Sequence, residues 1–209
     1  MKPYHKIHTV FKRDPATKYR TLLVGEYARP EFEYLKSNTW EFTEKVDGTN
    51  IRIMSLPSGE VAFNGRTDNA QIPAKLVKRL IELFPPNDKL AEQFPDGACL
   101  YGEGHGAGIQ KDGGNYSGTQ EFVLFDILIG SWWLERRSIE EIAEALGISV
   151  VPIIGEGTLS DMHYETACGL TSAWGNFQAE GIVARPKVSL LQRNGERIIT
   201  KLKVKDFSK

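Results

Sequence analysis

Cysteine is scarce in this 209-residue chain, with Cys99 and Cys168 the two it contains. Two thiols without metal-like spacing build neither the disulfide framework of a secreted mini-protein nor a zinc site, and both are expected to be reduced and mostly buried. Long apolar runs are missing as well. The longest, Phe122 to Gly130, is interrupted by Asp126 and falls far short of the roughly 20 apolar residues of a membrane helix. The first 20 residues carry no apolar signal core, so the expected location is the cytoplasm, with no membrane association. His5, His8, His105 and His163 are scattered, which excludes a histidine-built metal centre and leaves structural or solvent-facing roles. No repeat and no low-complexity stretch is visible, so one continuous domain over 1–209 is expected.

A large excess of charge of one sign is absent too, for the net charge is −1. Its distribution is uneven. Residues 1–20 carry six basic and one acidic side chain, residues 21–184 carry 12 and 24, and residues 185–209 carry eight and two. Basic ends around an acidic middle allow either solvated tails or a basic strip that suits a polyanionic ligand.

Alternating polar and apolar residues predict strands at Thr39–Glu44 and Asn50–Ser55 around the turn pair Asp47-Gly48. A second turn, Leu56 to Gly59, leads to a strand at Glu60–Asn64. Leu76, Val77, Leu80, Ile81 and Phe84 recur at helical spacing and predict a helix over Pro73–Phe84. Strands follow at Ala98–Glu103 and Glu121–Ile129. Ser138 with Glu141 reads as a capping box opening a helix that Gly147 stops. A strand at Ile148–Pro152, a helix from Asp161 weakened by Gly169, and strands at Ala179–Arg185 and Arg197–Lys205 complete the pattern. Hairpins outnumber helices, so the expected class is α+β with largely antiparallel sheets flanked by helices.

Several residues could carry chemistry. Lys45 ends a strand just before a tight turn, in Lys-Val-Asp-Gly-Thr-Asn (45–50). A lysine amine attacks phosphorus only when neutral, which from a reference pKa near 10.4 costs about 4.6 kcal/mol at pH 7 unless nearby cations lower it. Lys201, Lys203 and Lys205 alternate along the last predicted strand, so all three would share one face. Taken alone, the commoner meaning of that pattern is an edge strand kept from aggregating by lysines; the other meaning is a cationic ladder for phosphates. Glu180 enters an otherwise apolar strand, as a surface glutamate does and as a carboxylate holding a divalent cation against phosphate also does. The loop from Gly104 to Gln110 is rich in glycine but matches neither the Walker pattern nor GxGxxG. Trp132 and Trp133 should point to opposite faces, with at least one in the core.

Taken in order, Lys-x-Asp-Gly-x-Asn (45–50), Gly-Arg (65–66), Tyr-Gly-Glu (101–103), Phe-x-x-Phe-Asp-Ile (122–127), Glu-Gly-Ile-Val (180–183) and Lys-x-Lys (203–205) resemble the covalent nucleotidyltransferases, the polynucleotide ligases and mRNA capping enzymes. The opening Lys6-Ile7 to Arg13-Asp14, and Gly-x-Gly-x-Gln at 106–110, make the chain look more narrowly like the RNA ligase 2 family. The resemblance implies a ligase-type nucleotidyltransferase domain; ligases of this type usually carry a further domain after the last motif, and the expected departure here is that none follows, since the sequence closes four residues after Lys205. It implies ATP as nucleotide, Mg2+ or Mn2+ as metal, and a lysyl-AMP formed on Lys45. Glu44 would present backbone to adenine, Asn50 would contact the sugar-phosphate side, and Arg66 and Glu103 would bind ribose hydroxyls or phosphate. Phe125 would stack on adenine, Glu180 would serve the metal, and Lys203 and Lys205 would hold the α-phosphate, with Lys201 sharing their face. The implied partner is RNA, as a nicked duplex or broken ends bearing a 5′-phosphate and a 3′-hydroxyl, acted on by a monomer. Lys12, Arg13, Lys18, Arg20, Arg193 and Arg197 are candidate phosphate contacts. The alternatives are a minimal ATP-dependent DNA ligase and a catalytically weak module that binds nucleotide or RNA ends.

Overall fold

Residues 3–207 are described by a computed structural model, and they divide into two compact units. One comprises the described residues up to His5 together with Asp47–Val151; the other runs from Lys6 to Val46 and from Pro152 onward. The chain leaves the second unit directly after Lys45-Val46 and re-enters it at Pro152. The class is α+β, with antiparallel pairing throughout except at two sheet margins.

The second unit opens with strands β1 (His8–Thr9), β2 (Phe11–Arg13) and β3 (Leu22–Tyr27), helix α1 (Pro30–Tyr34) and strand β4 (Trp40–Lys45). The first unit then contributes β5 (Thr49–Ser55), β6 (Val61–Asn64), α2 (Ala74–Leu83), α3 (Lys89–Gln93), β7 (Ala98–His105), β8 (Glu121–Ile129), β9 (Trp132–Trp133), α4 (Arg136–Leu146) and β10 (Ser149–Val150). The chain closes with β11 (Ile153–Gly157), α5 (Leu159–Cys168), β12 (Gly181–Pro186), β13 (Thr200–Lys203) and a 3₁₀ turn at Val204–Asp206.

In the first unit the strand order is β10-β8-β7-β5-β6, with β9 added to β8. Period-two alternation sends Ile51, Ile53, Leu100 and Leu124 to one face, where they pack with Leu76 and Leu80 of α2, Leu90 of α3, and Ile139 and Ala143 of α4. The opposite face holds a smaller cluster in which Tyr101 and Leu128 meet Tyr4, Phe125 and Trp133. Trp133 is half-buried and Trp132 is 78% exposed, as opposite-facing neighbours on a strand should be.

In the second unit the order is β1-β13-β12-β4-β11. Phe42 lies opposite Ala184, and Ile182 lies between Glu44 and Leu202. The apolar members of that set, with Trp40, face a core completed by Phe32, Leu35, Leu159 and Met162. The Trp40 indole N–H donates to the Leu35 carbonyl at 2.9 Å, so the largest core side chain also fixes the end of α1.

Some sequence expectations are corrected. α4 starts at Arg136 with Glu135 as its cap and no side-chain capping bond, so Ser138 lies inside the helix. The capping box belongs to α5, where Thr158 and Asp161 bond reciprocally, and Gly169 ends that helix rather than weakening it. The final strand stops at Lys203 because Val204 turns into the 3₁₀ segment. β1, β2, β3, β11, α1 and α3 are short elements whose apolar residues are too few to show a period. Cys99 is buried, but Cys168 at the end of α5 is exposed.

Leu76 is fully buried. Leu76→Ala should cost about 2–5 kcal/mol in denaturant unfolding, against about 1 kcal/mol or less for Ile81→Ala on the exposed face of the same helix.

Candidate active site

Lys45 is the last residue of β4, and across the sheet it stands level with Gly181 of β12, which in turn faces Lys203 of β13. Residues abreast in neighbouring strands project from the same side, so the two lysines flank a position without a side chain. Glu180 reaches both. Its Oε2 accepts from Lys45 Nζ at 2.6 Å and its Oε1 from Lys203 Nζ at 2.5 Å. The Val204 amide donates to the Glu180 carbonyl at 2.9 Å, which carries the strand pairing past Gly181 and fixes the glutamate beside the lysines. Glu180 is therefore no surface residue, its side chain being 11% exposed. Burial alone would raise its pKa, but the charge of Lys45 and the hydrogen bond from Lys203 outweigh this and hold it below the ordinary carboxylate value.

The glycine at 181 is required by close approach. A Cβ there would lie 2.1 Å from the Leu202 carbonyl oxygen, so any side chain would push β13 away and carry Lys203 with it.

One residue before the lysine, Glu44 points to the opposite, core-facing side and is 2% exposed. Its carboxylate accepts from the Ser172 hydroxyl and the Ala173 amide, both at 2.7 Å, and so ties the loop before β12 to the strand carrying Lys45. Its amide donates to the Pro152 carbonyl at 3.1 Å. Burial raises the Glu44 pKa, and the two hydrogen bonds only partly offset it. Ser172 and Ala173 went unnoticed in the sequence, where nothing marks them as partners of a residue nearly 130 positions away.

Within the first unit, Asn50 and Glu103 are direct cross-strand partners on β5 and β7 and so share one face. Arg52, two residues along β5 on that face, is fully buried. Its Nε donates to the Gly65 carbonyl at 2.7 Å and its Nη2 to Asp68 at 2.8 Å, which pins the turn presenting the exposed Arg66. Phe125 is the extra residue of a β-bulge, because Tyr101 pairs with Asp126 while Gly102 pairs with Leu124. Bulges re-aim side chains. The Phe125 ring lies edge-on to Tyr4 at 5.0 Å, and the Tyr4 hydroxyl donates to the buried Asp126. Gly48 passes so close to β7 that a Cβ would lie 2.2 Å from the Gly104 carbonyl oxygen. The glycine-rich loop braces the same turn, for Gln110 Nε2 donates to the Gly48 carbonyl at 3.0 Å.

Lys45, Glu180 and Lys203 are thus brought into contact in one unit, and Asn50 and Glu103 are brought side by side in the other. Lys205 is not on the ladder: it sits exposed in the 3₁₀ turn, so the three-lysine face reduces to Lys201 and Lys203. Among the described residues no group of three or more His, Cys, Asp or Glu could hold a metal alone. A divalent cation at Glu180 would draw its other ligands from phosphate and water, as magnesium commonly does. The single carboxylate fits that donor set, with the cation taking the place of a lysine ammonium on it. No helix of the described residues is long and apolar enough to cross a membrane.

The chain belongs to the RNA ligase family, which it matches over residues 38–203. No curated protein matches it. An archaeal ATP-dependent RNA ligase has a similar fold, with a TM-score of 0.65, 18% identity, and coverage of 99% of this chain and 49% of that one. A Naegleria gruberi RNA ligase variant with ATP and Mn aligns at TM-score 0.60 and 19% identity over 83% of this chain and 52% of that one. The same ligase with PPi aligns at 0.61 and 17% over 97% and 61%. The chain spans about half to three fifths of the length of these structures.

The two buried carboxylates should respond to pH in opposite directions. Glu180, with a depressed pKa, stabilises the fold above the ordinary carboxylate value of 4.5 and loses that contribution as pH falls through its own lower value. Glu44, with a raised pKa, contributes most below 4.5 and loses that contribution as pH rises through its higher value. In thermal unfolding the deficit of Glu180→Gln should therefore hold steady above 4.5 and shrink only as pH falls below it, so the series runs down to about pH 2.5. The Tm of Glu44→Gln relative to the parent should rise with pH.

Proposed function

We propose that the chain is an ATP-dependent RNA ligase, a single nucleotidyltransferase domain in which Lys45 is the nucleophile. The observation that carries this reading is the shared carboxylate. Lys45 and Lys203, 158 positions apart in the sequence, converge on Glu180 within hydrogen-bond distance. As an ion-pair donor the Lys45 amine has no free lone pair, so it must pass a proton to solvent before it can attack. Attack of Nζ on the α-phosphorus of ATP forms a P–N bond, breaks the bond to the β-phosphate and releases pyrophosphate. A 5′-phosphate oxygen of RNA then attacks the same phosphorus and frees Lys45, and a 3′-hydroxyl attacks the 5′-phosphate and expels AMP.

The roles of the chain's own residues are positioning and charge neutralisation. Lys203 supplies a fixed cation for the α-phosphate, and Lys205, exposed two residues on, a second that the sheet does not hold. A divalent cation bound through Glu180 and phosphate oxygens would neutralise the charge of the triphosphate and its leaving group. Glu44 holds the strand that presents Lys45 and offers its backbone toward adenine. On the first unit, Asn50, Arg66 and Glu103 are the polar nucleotide-binding residues, and Phe125 is the aromatic one. The partner in this reading is RNA, which family membership supports; the 5′-phosphate and 3′-hydroxyl ends follow from the transfer steps proposed above.

Incubation with α-labelled ATP and magnesium, followed by denaturing electrophoresis, should give a labelled protein band. Lys45→Ala should abolish it, and a chase with 5′-phosphorylated nicks should move the label to RNA with a ribose 3′-hydroxyl. Persistent labelling of Lys45→Ala would overturn the reading.

A further inference from the structure

The β2–β3 hairpin of the second unit carries a feature the ligase reading leaves unused. Its loop holds Lys18 and Tyr19 with φ of 54° and 61°, two consecutive non-glycine residues in the left-handed region. They are the central pair of a turn closed by the Arg20 amide, which donates to the Thr17 carbonyl at 3.3 Å, a type I′ geometry that non-glycine side chains adopt at a cost on the order of 1 kcal/mol each. Further bonds hold it. The Asp14 carbonyl accepts from the amides of Thr17 and Tyr19, at 3.3 and 2.9 Å, and its carboxylate accepts from the Ala16 amide at 2.8 Å. Arg13 Nη1 donates to the carbonyls of Tyr19 and Arg20 at 3.3 and 3.4 Å. The same guanidinium is clamped by Asp206, with Nη2 at 2.8 and 3.0 Å from the two carboxylate oxygens. Asp206 follows Lys205, so the loop is bolted to the turn that ends the lysine-bearing strand.

What this bracing presents is Lys18, Tyr19 and Arg20. All three are exposed, Tyr19 by 63%, and among the described residues none of their side chains has a hydrogen-bond or ion-pair partner. A single exposed tyrosine is ordinary. An exposed ring between two unneutralised cations, on a turn fastened from beneath by Arg13, matches a ligand that is both planar and anionic. A solvated tail would need no bracing.

We propose that Lys18-Tyr19-Arg20 is a nucleotide clamp, in which Tyr19 stacks on an unpaired base of the RNA near the break while Lys18 and Arg20 hold the flanking phosphates. The choice of RNA rests on the ligase reading above. The choice of an unpaired base follows from geometry: bases inside a duplex are already stacked, so a lone ring on a loop can engage only a splayed or overhanging one. The clamp therefore selects ends with an unpaired nucleotide over a fully paired nick.

Fluorescence anisotropy on the full chain without ATP tests this, using 5′-phosphorylated RNA with one unpaired nucleotide beside the break and a fully paired nick as comparison. Tyr19→Ala should weaken binding of the first by about tenfold, in line with the loss of one stacked base, and leave the second nearly unchanged. Tyr19→Trp should restore it. The double change Lys18→Ala, Arg20→Ala should weaken both and reduce the slope of log affinity against log salt by about 1.4 to 1.8, two phosphate contacts at the single-strand or duplex coefficient. Parental affinity and salt slope in all these variants would overturn the clamp, as would an equal loss on paired and unpaired RNA for Tyr19→Ala. A lower Tm or weaker self-adenylylation in Tyr19→Ala would also overturn it, by showing the loop to be structural. Absence of labelling in the parent protein would count against the ligase reading alone, because the binding assay needs no adenylylation.

Discussion

The site turns on one carboxylate held between two ammonium groups. Glu180 gives one oxygen to Lys45 and the other to Lys203, and the three charges sit together where solvent reaches them only in part. A buried carboxylate without partners would be protonated or would unfold the site, and two buried ammoniums without it would repel each other. Together they are tolerated and carry a net positive charge. That surplus, on three strands locked in register, is the charge that the phosphate ligand proposed above would meet.

Register is what makes the arrangement possible. Lys45, Gly181 and Lys203 stand abreast because β4, β12 and β13 pair without interruption there. The neighbouring row, Glu44, Ile182 and Leu202, points to the other side, so a slip of one residue would bury the lysines and expose the core. Glu44 adds a lock from that side through Ser172 and Ala173. The Lys45-bearing strand is thus held from both faces by carboxylates, one tuned to stay charged by cations and the other made costly to charge by burial.

Much of this was legible in the sequence because it rests on period-two alternation. The strands around Phe42, Ile51 and Ile182 and the helix around Leu76 carry enough apolar residues for the period to show, and the motif order brought Lys45, Glu180 and Lys203 to notice together. What stayed hidden depends on contacts between distant residues. No local pattern announces that Arg52 supports the turn before Arg66, that Ser172 bonds Glu44, or that Phe125 is pushed out of pairing by a bulge. Lys205 shows the limit from the other direction. Its spacing from Lys203 fits a strand, yet Val204 is drawn into the core and the backbone turns after Lys203, so alternation was extended one step beyond the hydrogen bonds that enforce it.

The two units use the same device to present a cation on a turn. Arg52 reaches out from under its turn, with Nε on the Gly65 carbonyl and Nη2 on Asp68, and Arg66 stands above it. Arg13 does so for the hairpin, taking two carbonyls with one nitrogen and Asp206 with the other, and Lys18 and Arg20 stand above it. Arginine suits this role, since its planar fork aims separate nitrogens at a carbonyl and a carboxylate that lie apart, whereas the three donors of a lysine ammonium radiate from a single nitrogen. An exposed cation on a free loop loses much of its attraction for phosphate to the entropy of being ordered on binding. Fastening the backbone beneath it removes part of that loss before the ligand arrives.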